Sequence, residues 1–181
     1  MDKIGTRIVF SGSGGQGIIT AAIILAEAAA IHDGLNAVQT QSYGPEARGG
    51  ATRADVIISD SPIRFPKVIN PHILVCLTQE AYDKFARIIR PGGLLLTDTR
   101  FVKAVQKTDA RQVDLDMYRT VIDKIGKPIV FNICMLGAFV ELTGLVRMES
   151  IVKTIESKIP HDFLPMNRQA LELGMNLIRK R

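Results

Sequence analysis

Apolar residues in this chain fall into short blocks whose periodicity keeps switching, and the blocks predict alternating strands and helices. RIVFSG (7–12) is a β-branched run ending in glycine, the pattern of a buried strand. Ile18 to His32 is rich in alanine and leucine with no proline or glycine, which predicts a helix stopped by Asp33-Gly34. AVQTQ (37–41) predicts a second strand, and SYGPEARGG (42–50) carries too much glycine and proline to be anything but a loop. ATRADVIIS (51–59) reads as a strand, with a turn at Asp60-Ser61-Pro62 that returns a short partner through Ile63-Arg64-Phe65. HILVCL (72–77) is a further apolar strand, followed by a helix from Gln79 to Ile89. Arg90-Pro91-Gly92-Gly93 stops that helix and LLLTD (94–98) is the next strand. The stretch from Thr99 to Lys127 predicts a strand near Gln112–Leu115 and a helix through MYRTVIDKI, and three helices follow near 132–143, 148–158 and 166–179.

Strands alternating with helices argue for an α/β fold, a three-layer sandwich whose sheet is covered on both faces. The sheet is expected to be mixed and mostly parallel, the 51–66 hairpin supplying its antiparallel part. With no internal repeat, low-complexity segment or linker, 1–181 is expected to form a single domain.

Composition narrows the function classes. Apolar residues make up 46% and charged residues 23%, ordinary values for a globular protein. Cys76 and Cys134 each sit inside an apolar stretch and no CxxC spacing exists, so this chain alone builds neither a zinc site nor an iron–sulfur cluster. Two isolated thiols suit a reducing compartment and core packing. The longest apolar stretch, IITAAIILAEAAAI, is too short to span a bilayer and is interrupted by Glu27; the opening residues read as neither signal peptide nor membrane helix, so the cytoplasm is the expected location. A net charge of +5 suits an anionic ligand or an acidic partner. Scattered basic residues and scarce aromatics argue against nucleic acid.

The sharpest local signal is Gly12-Ser13-Gly14-Gly15-Gln16-Gly17, a G-x-G-x-x-G turn between strand and helix. Such glycines let backbone amides approach a phosphate placed at the positive end of a helix dipole; alternatively they serve only tight strand–helix packing. A dinucleotide site would add an acid near the end of the second strand, and Ala37–Gln41 has none, nor an arginine for a 2′-phosphate. A free-standing NAD enzyme is therefore disfavoured. The 42–50 loop should leave the carboxyl edge of the sheet beside that turn, where α/β proteins bind ligands. It would bring Tyr43, Glu46 and Arg48 together on a backbone of Gly44, Pro45, Gly49 and Gly50, and Arg48 with Arg53 would suit a bidentate phosphate or carboxylate clamp. The plainer reading pairs Glu46 with Arg48 on the surface.

Taken in order, GSGGQGIITAAIILAEAA, SYGPEARGGATRADVIISDSPIRFPKV, LTQEAYDKF, PGGLLLTD and NICMLGAFVELTG resemble the gamma subunit of 2-oxoacid:ferredoxin oxidoreductases, the 2-oxoglutarate type above all, over about residues 5 to 145. An indolepyruvate-type subunit shares the GGQG turn but differs at the loop. The resemblance implies the fold of the gamma domain of pyruvate:ferredoxin oxidoreductase. It also implies an enzyme that cleaves a 2-oxoacid with thiamine diphosphate and magnesium, passes electrons through iron–sulfur clusters to ferredoxin, and releases an acyl-CoA. Those cofactors are expected in alpha, beta and ferredoxin-like delta partners, since this chain has no thiamine diphosphate signature and no cysteine run. On this reading Gly12, Gly14, Gly15, Gln16 and Gly17 meet CoA phosphate or a subunit interface. Tyr43, Glu46, Arg48 and Arg53 border the active site, and no catalytic residue or metal lies in this chain. Asn132 either caps its helix, the plainer role, or reaches the same crevice. A stand-alone CoA- or nucleotide-binding module is the other reading, and the isolated chain is a candidate homodimer. His32, His72 and His161 have no second ligand at metal spacing, and Asp114 with Asp116 reads as a strand end or helix cap rather than an acid–base pair.

Overall fold

A computed structural model describes residues 5–41 and 51–181. Among them six strands form one sheet: β1 (Thr6–Gly12), β2 (Asn36–Gln41), β3 (Thr52–Ser59), β4 (Ile73–Cys76), β5 (Gly93–Asp98) and β6 (Ala110–Leu115), in the order β2-β3-β1-β4-β5-β6. The run β1-β4-β5-β6 is parallel, while β3 lies antiparallel between β2 and β1. All four residues of β4 are buried, as expected of a central strand covered on both faces.

The mixed sheet matches expectation, but its antiparallel part does not arise from a 51–66 hairpin. The partner of β3 is β2, with Gln41 opposite Ala54, and Ile63–Phe65 forms no strand. Pro62 and Pro66 flank that tripeptide, and neither has an N–H to donate to a ladder. Ala37–Gln41 has every donor in place.

Helices cover the two faces unequally. One face carries α1 (Ile18–Glu27), which runs on through a π-helical turn at Ala28–His32, together with α3 (Met117–Lys124), α4 (Phe131–Thr143), α5 (Met148–Lys158) and α6 (Leu164–Arg179). The other carries α2 (Gln79–Phe85) and a 3-10 turn at Ala86–Ile88, sealed by Val68 and Val102 from the long connections. Along β1 the faces alternate: Ile8 and Phe10 enter the larger core, Val9 the smaller.

Every residue of α4 from Phe131 to Val140 is buried, so this helix has no polar stripe and must be enclosed. On the sheet side Phe139 meets Phe10 of β1, ring centroids 5.2 Å apart. On the outer side α6 closes over it through two glycines. A Cβ at Gly174 would lie 2.7 Å from the Ala138 nitrogen, and one at Gly137 would lie 3.0 Å from the Leu171 carbonyl carbon, closer still to its oxygen. The helix axes approach this closely only because both positions lack a side chain.

Candidate functional site

The glycine-rich segment turns off the carboxyl end of β1, and its glycines divide by role. Gly17 precedes α1 with φ +71°, and a Cβ there would collide with Asn132, whose Cγ lies 2.7 Å from that position. At Gly12 a Cβ would meet Ile18 at 3.1 Å and, more closely still, the Gln16 amide oxygen. These two positions are glycine for close packing. At Gly14 and Gly15 a Cβ would meet nothing within 4 Å, and the segment Ser13–Gly15 is exposed. The backbone open to a ligand is therefore the middle of the turn. Gln16, expected to meet CoA phosphate or a subunit interface, has its side-chain amide engaged within the fold. Its Oε1 accepts from the Ser13 N–H at 2.8 Å and its Nε2 donates to the Leu77 carbonyl at 3.3 Å. It braces the turn against the end of β4 because folding the loop back leaves those two backbone groups in need of partners.

Asn132 does not cap α4. The cap position is Val130 and no side chain fills it. Asn132, 6% exposed, donates from Nδ2 to the Gly17 carbonyl at 3.2 Å, and its buried Oδ1 has no hydrogen-bond partner among the described residues. An unpaired buried acceptor costs roughly 1–3 kcal/mol, so the group favours a donor brought from outside. It lines a cleft of about 470 Å³ whose polar end is Gly15, Gly17 and Thr20, and whose apolar wall is Ile129, Val130, Phe163 and Met166. Ile129 (75% exposed) and Phe163 (53%) stand open at its mouth. The start of α1, whose Gly17 and Thr20 line the same cleft, has no side-chain cap among the described residues, which leaves its positive dipole end to another partner. The arrangement suits an anion at the helix start continued by an apolar chain that bears N–H donors.

Tyr43, Gly44, Pro45, Glu46, Arg48, Gly49 and Gly50 lie outside the described residues. The residues on either side of them do reach the expected edge of the sheet: Gln41 stands opposite Ala54, Thr52 opposite Gly12, and the Ser11 hydroxyl donates to the Thr52 carbonyl at 2.9 Å. Arg53 departs from expectation. It points to the α2 face, where it makes a bidentate pair with Asp55 (2.7 and 2.9 Å) and donates to the Val68 carbonyl at 2.6 Å, beneath the Phe85 ring. Its Nε and Nη2 are engaged and its charge is paired with Asp55, while Arg48, the other arm of the expected clamp, lies outside the described residues.

Sequence reasoning also passed over Asp98, fully buried at the end of β5. Its carboxylate accepts from the Tyr118 N–H at 2.8 Å and the Arg100 N–H at 3.0 Å, thereby capping α3. Burial pushes its pKa above the usual carboxylate range despite those bonds. Asp116 supplies no side-chain cap, and Asp114 accepts from Thr97 and Gln112. Both thiols are buried, and burial raises Cys134 to about 12 and Cys76 further. The His72 Nδ1 accepts from the Arg7 N–H at 3.0 Å. Thr20, Phe163 and Met166 carried no local signal, because they enter the cleft from elements far apart in the chain.

The family model for pyruvate ferredoxin/flavodoxin oxidoreductase matches residues 7–177. The chain belongs to this family of 2-oxoacid oxidoreductases. It is 47% identical to the 2-oxoglutarate synthase subunit KorC of Methanocaldococcus jannaschii, over 98% of this chain and 96% of that one. Its structure matches the gamma subunit of a keto/oxoacid ferredoxin oxidoreductase from Geobacter sulfurreducens with a TM-score of 0.89 and 42% identity, covering 97% of this chain and 99% of that one. It also shares the fold of part of the 2-oxoglutarate:ferredoxin oxidoreductase of Magnetococcus marinus, TM-score 0.88 at 22% identity, spanning 99% of this chain and 32% of that longer one. No helix among the described residues is long and apolar enough to cross a membrane.

Proposed function

We infer that this chain is the gamma subunit of a thiamine diphosphate-dependent 2-oxoglutarate:ferredoxin oxidoreductase, an enzyme that converts 2-oxoglutarate and CoA into succinyl-CoA and CO₂ and passes two electrons to ferredoxin. The observation that carries the reading is the nearly end-to-end likeness to a 2-oxoglutarate synthase subunit, over 98% of this chain and 96% of that one. The chain acts as one unit, is inactive alone, and works in the cytoplasm. It packs against alpha and beta subunits that hold thiamine diphosphate and magnesium, beside a ferredoxin-like delta subunit with iron–sulfur clusters.

Its own contribution is a path for CoA. The exposed Ser13–Gly15 backbone and the start of α1 suit a phosphate, and the cleft suits the pantetheine arm, whose amide N–H groups are donors that the orphaned Asn132 Oδ1 lacks. On this reading residues 42–50, which lead to Thr52 opposite Gly12, border the thiamine site.

The test is reconstitution. The full chain is combined with the partner subunits, and dye reduction is followed with 2-oxoglutarate and CoA. Activity that needs all the chains, with a KM for CoA raised about tenfold in Asn132→Ala and an unchanged KM for 2-oxoglutarate, supports the reading. Full activity of the partners without this chain overturns the subunit role. An unchanged KM for CoA in Asn132→Ala overturns the CoA path alone.

A further inference from the structure

Residues 60–71 leave β3 and reach β4 as an irregular segment at the amino edge of the sheet. With β1 seven residues long and strands rising about 3.3 Å per residue, this edge lies roughly 20 Å from the glycine-rich turn. The segment is fixed in shape. Pro62, Pro66 and Pro71 restrict its backbone, Val68 is buried in the α2-side core, and Arg53 holds the Val68 carbonyl. Yet it holds two large apolar side chains out to solvent, Phe65 at 52% and Ile69 at 65% exposure. Large apolar groups on a braced segment have already met the ordering cost of binding, which marks them as contact residues.

Two clefts flank Phe65. One, of about 490 Å³, is walled by Ile69, Lys67, His72, Arg90 and Arg7. The other, of about 450 Å³, adds Arg64 and Ile63. Arg64, Lys67 and Arg90 line the pair, and no carboxylate of the described residues does; Asp60, at the root of the segment, is engaged by the Ser61 hydroxyl.

We propose that segment 60–71 is a docking surface for a partner subunit of the same enzyme, which contributes an acidic stretch with an apolar side chain that inserts beside Phe65. Apolar side chains between cations give such a partner an anchor and a ring of complementary charge. The proposal rests on the chain being a subunit of a larger oxidoreductase.

The experiment uses the reconstituted complex. A carbodiimide joins Lys67 Nζ to any contacting carboxylate as an amide, and peptide mapping identifies both ends; hydrogen exchange of residues 60–72 is compared between the free and assembled chain. Arg64→Glu/Lys67→Glu and Phe65→Ser are titrated against the partners, with Lys153→Glu on α5 as control and thermal unfolding confirming the fold of each variant. The expected result is a cross-link from Lys67 to a partner aspartate or glutamate, slower exchange at 60–72 on assembly, and association at least tenfold weaker in both variants but not in the control. A complex that forms with 60–72 exchanging as in the free chain overturns the docking surface and leaves the subunit assignment intact. Protection that grows with concentration in the isolated chain replaces the partner by a second copy. Failure of the wild-type chain to assemble at all removes the subunit assignment and this surface with it.

Discussion

Replacing Gly17 by alanine tests the junction on which the candidate site is built. Two costs follow from the geometry. Alanine at φ +71° is held in the left-handed region, which costs about 1–2 kcal/mol. Its Cβ also evicts Asn132, whose Cγ stands 2.7 Å and whose Cβ 3.0 Å from that position, so the bond from Nδ2 to the Gly17 carbonyl is lost, a further cost of about 0.5–1.5 kcal/mol. The sum is roughly 1.5–3.5 kcal/mol, a fall in Tm of about 3–14 °C for a chain of this size. The assay is urea unfolding of four proteins: wild type, Gly17→Ala, Asn132→Gly and the double variant. Asn132→Gly alone loses the same bond and exchanges asparagine for the still poorer helix former glycine, about 1–2 kcal/mol in all. In the double variant the bond is lost once rather than twice, so the total should fall about 1 kcal/mol short of additive. Gly14→Ala is the control, since its Cβ meets nothing within 4 Å and it should shift stability by less than about 0.5 kcal/mol. Additivity within about 0.3 kcal/mol would refute the contact between turn and helix.

Three further outcomes follow from the packing and the buried charges. Gly137→Ala drives a Cβ into the backbone of Leu171, which cannot rotate away, so despite the better helix propensity it should lower stability by about 1–3 kcal/mol in the same urea assay. Asp33 joins the end of the first helix to the start of α5: burial raises its carboxyl, but bonds from the Ser150 hydroxyl, the Arg147 N–H and the Arg147 guanidinium outweigh that and leave its pKa below the ordinary value. Because the folded pKa is the lower one, its contribution is present above about pH 4 and is lost as pH falls through the folded value; unfolding curves of Asp33→Asn should show less acid destabilisation than wild type in that window. Cys76 and Cys134, held as thiols by burial, should remain unlabelled by a thiol reagent in the native protein at pH 8 and react fully in urea.

Much of the fold was legible because its signals are local. The run 7–12, the alanine-rich helix after it, and the apolar blocks at 73–76 and 93–98 each carry their own period and their own stops, so element order followed from reading along the chain. What could not be read was which strand pairs with which. Ladder partners are chosen by edges and donors that lie far apart in sequence, so the reading along the chain sought the antiparallel partner of β3 in a return through Ile63–Phe65, whereas the structure pairs β3 with β2.

The site divides along the same line. The amino-acid sequence by itself determined the glycine-rich turn, the helix behind it and the place where the 42–50 loop is rooted, because backbone freedom and chain direction are properties of adjacent residues. Only the tertiary structure decided that Gln16 reaches the Leu77 carbonyl, that Asn132 crosses to Gly17 with an acceptor left without a partner among the described residues, and that Ile129, Phe163 and Met166 complete the cleft. A side chain's partner is fixed by whichever groups packing brings within about 3 Å, and residues as far apart in sequence as Gln16 and Leu77 or Asn132 and Gly17 carry no local record of that meeting.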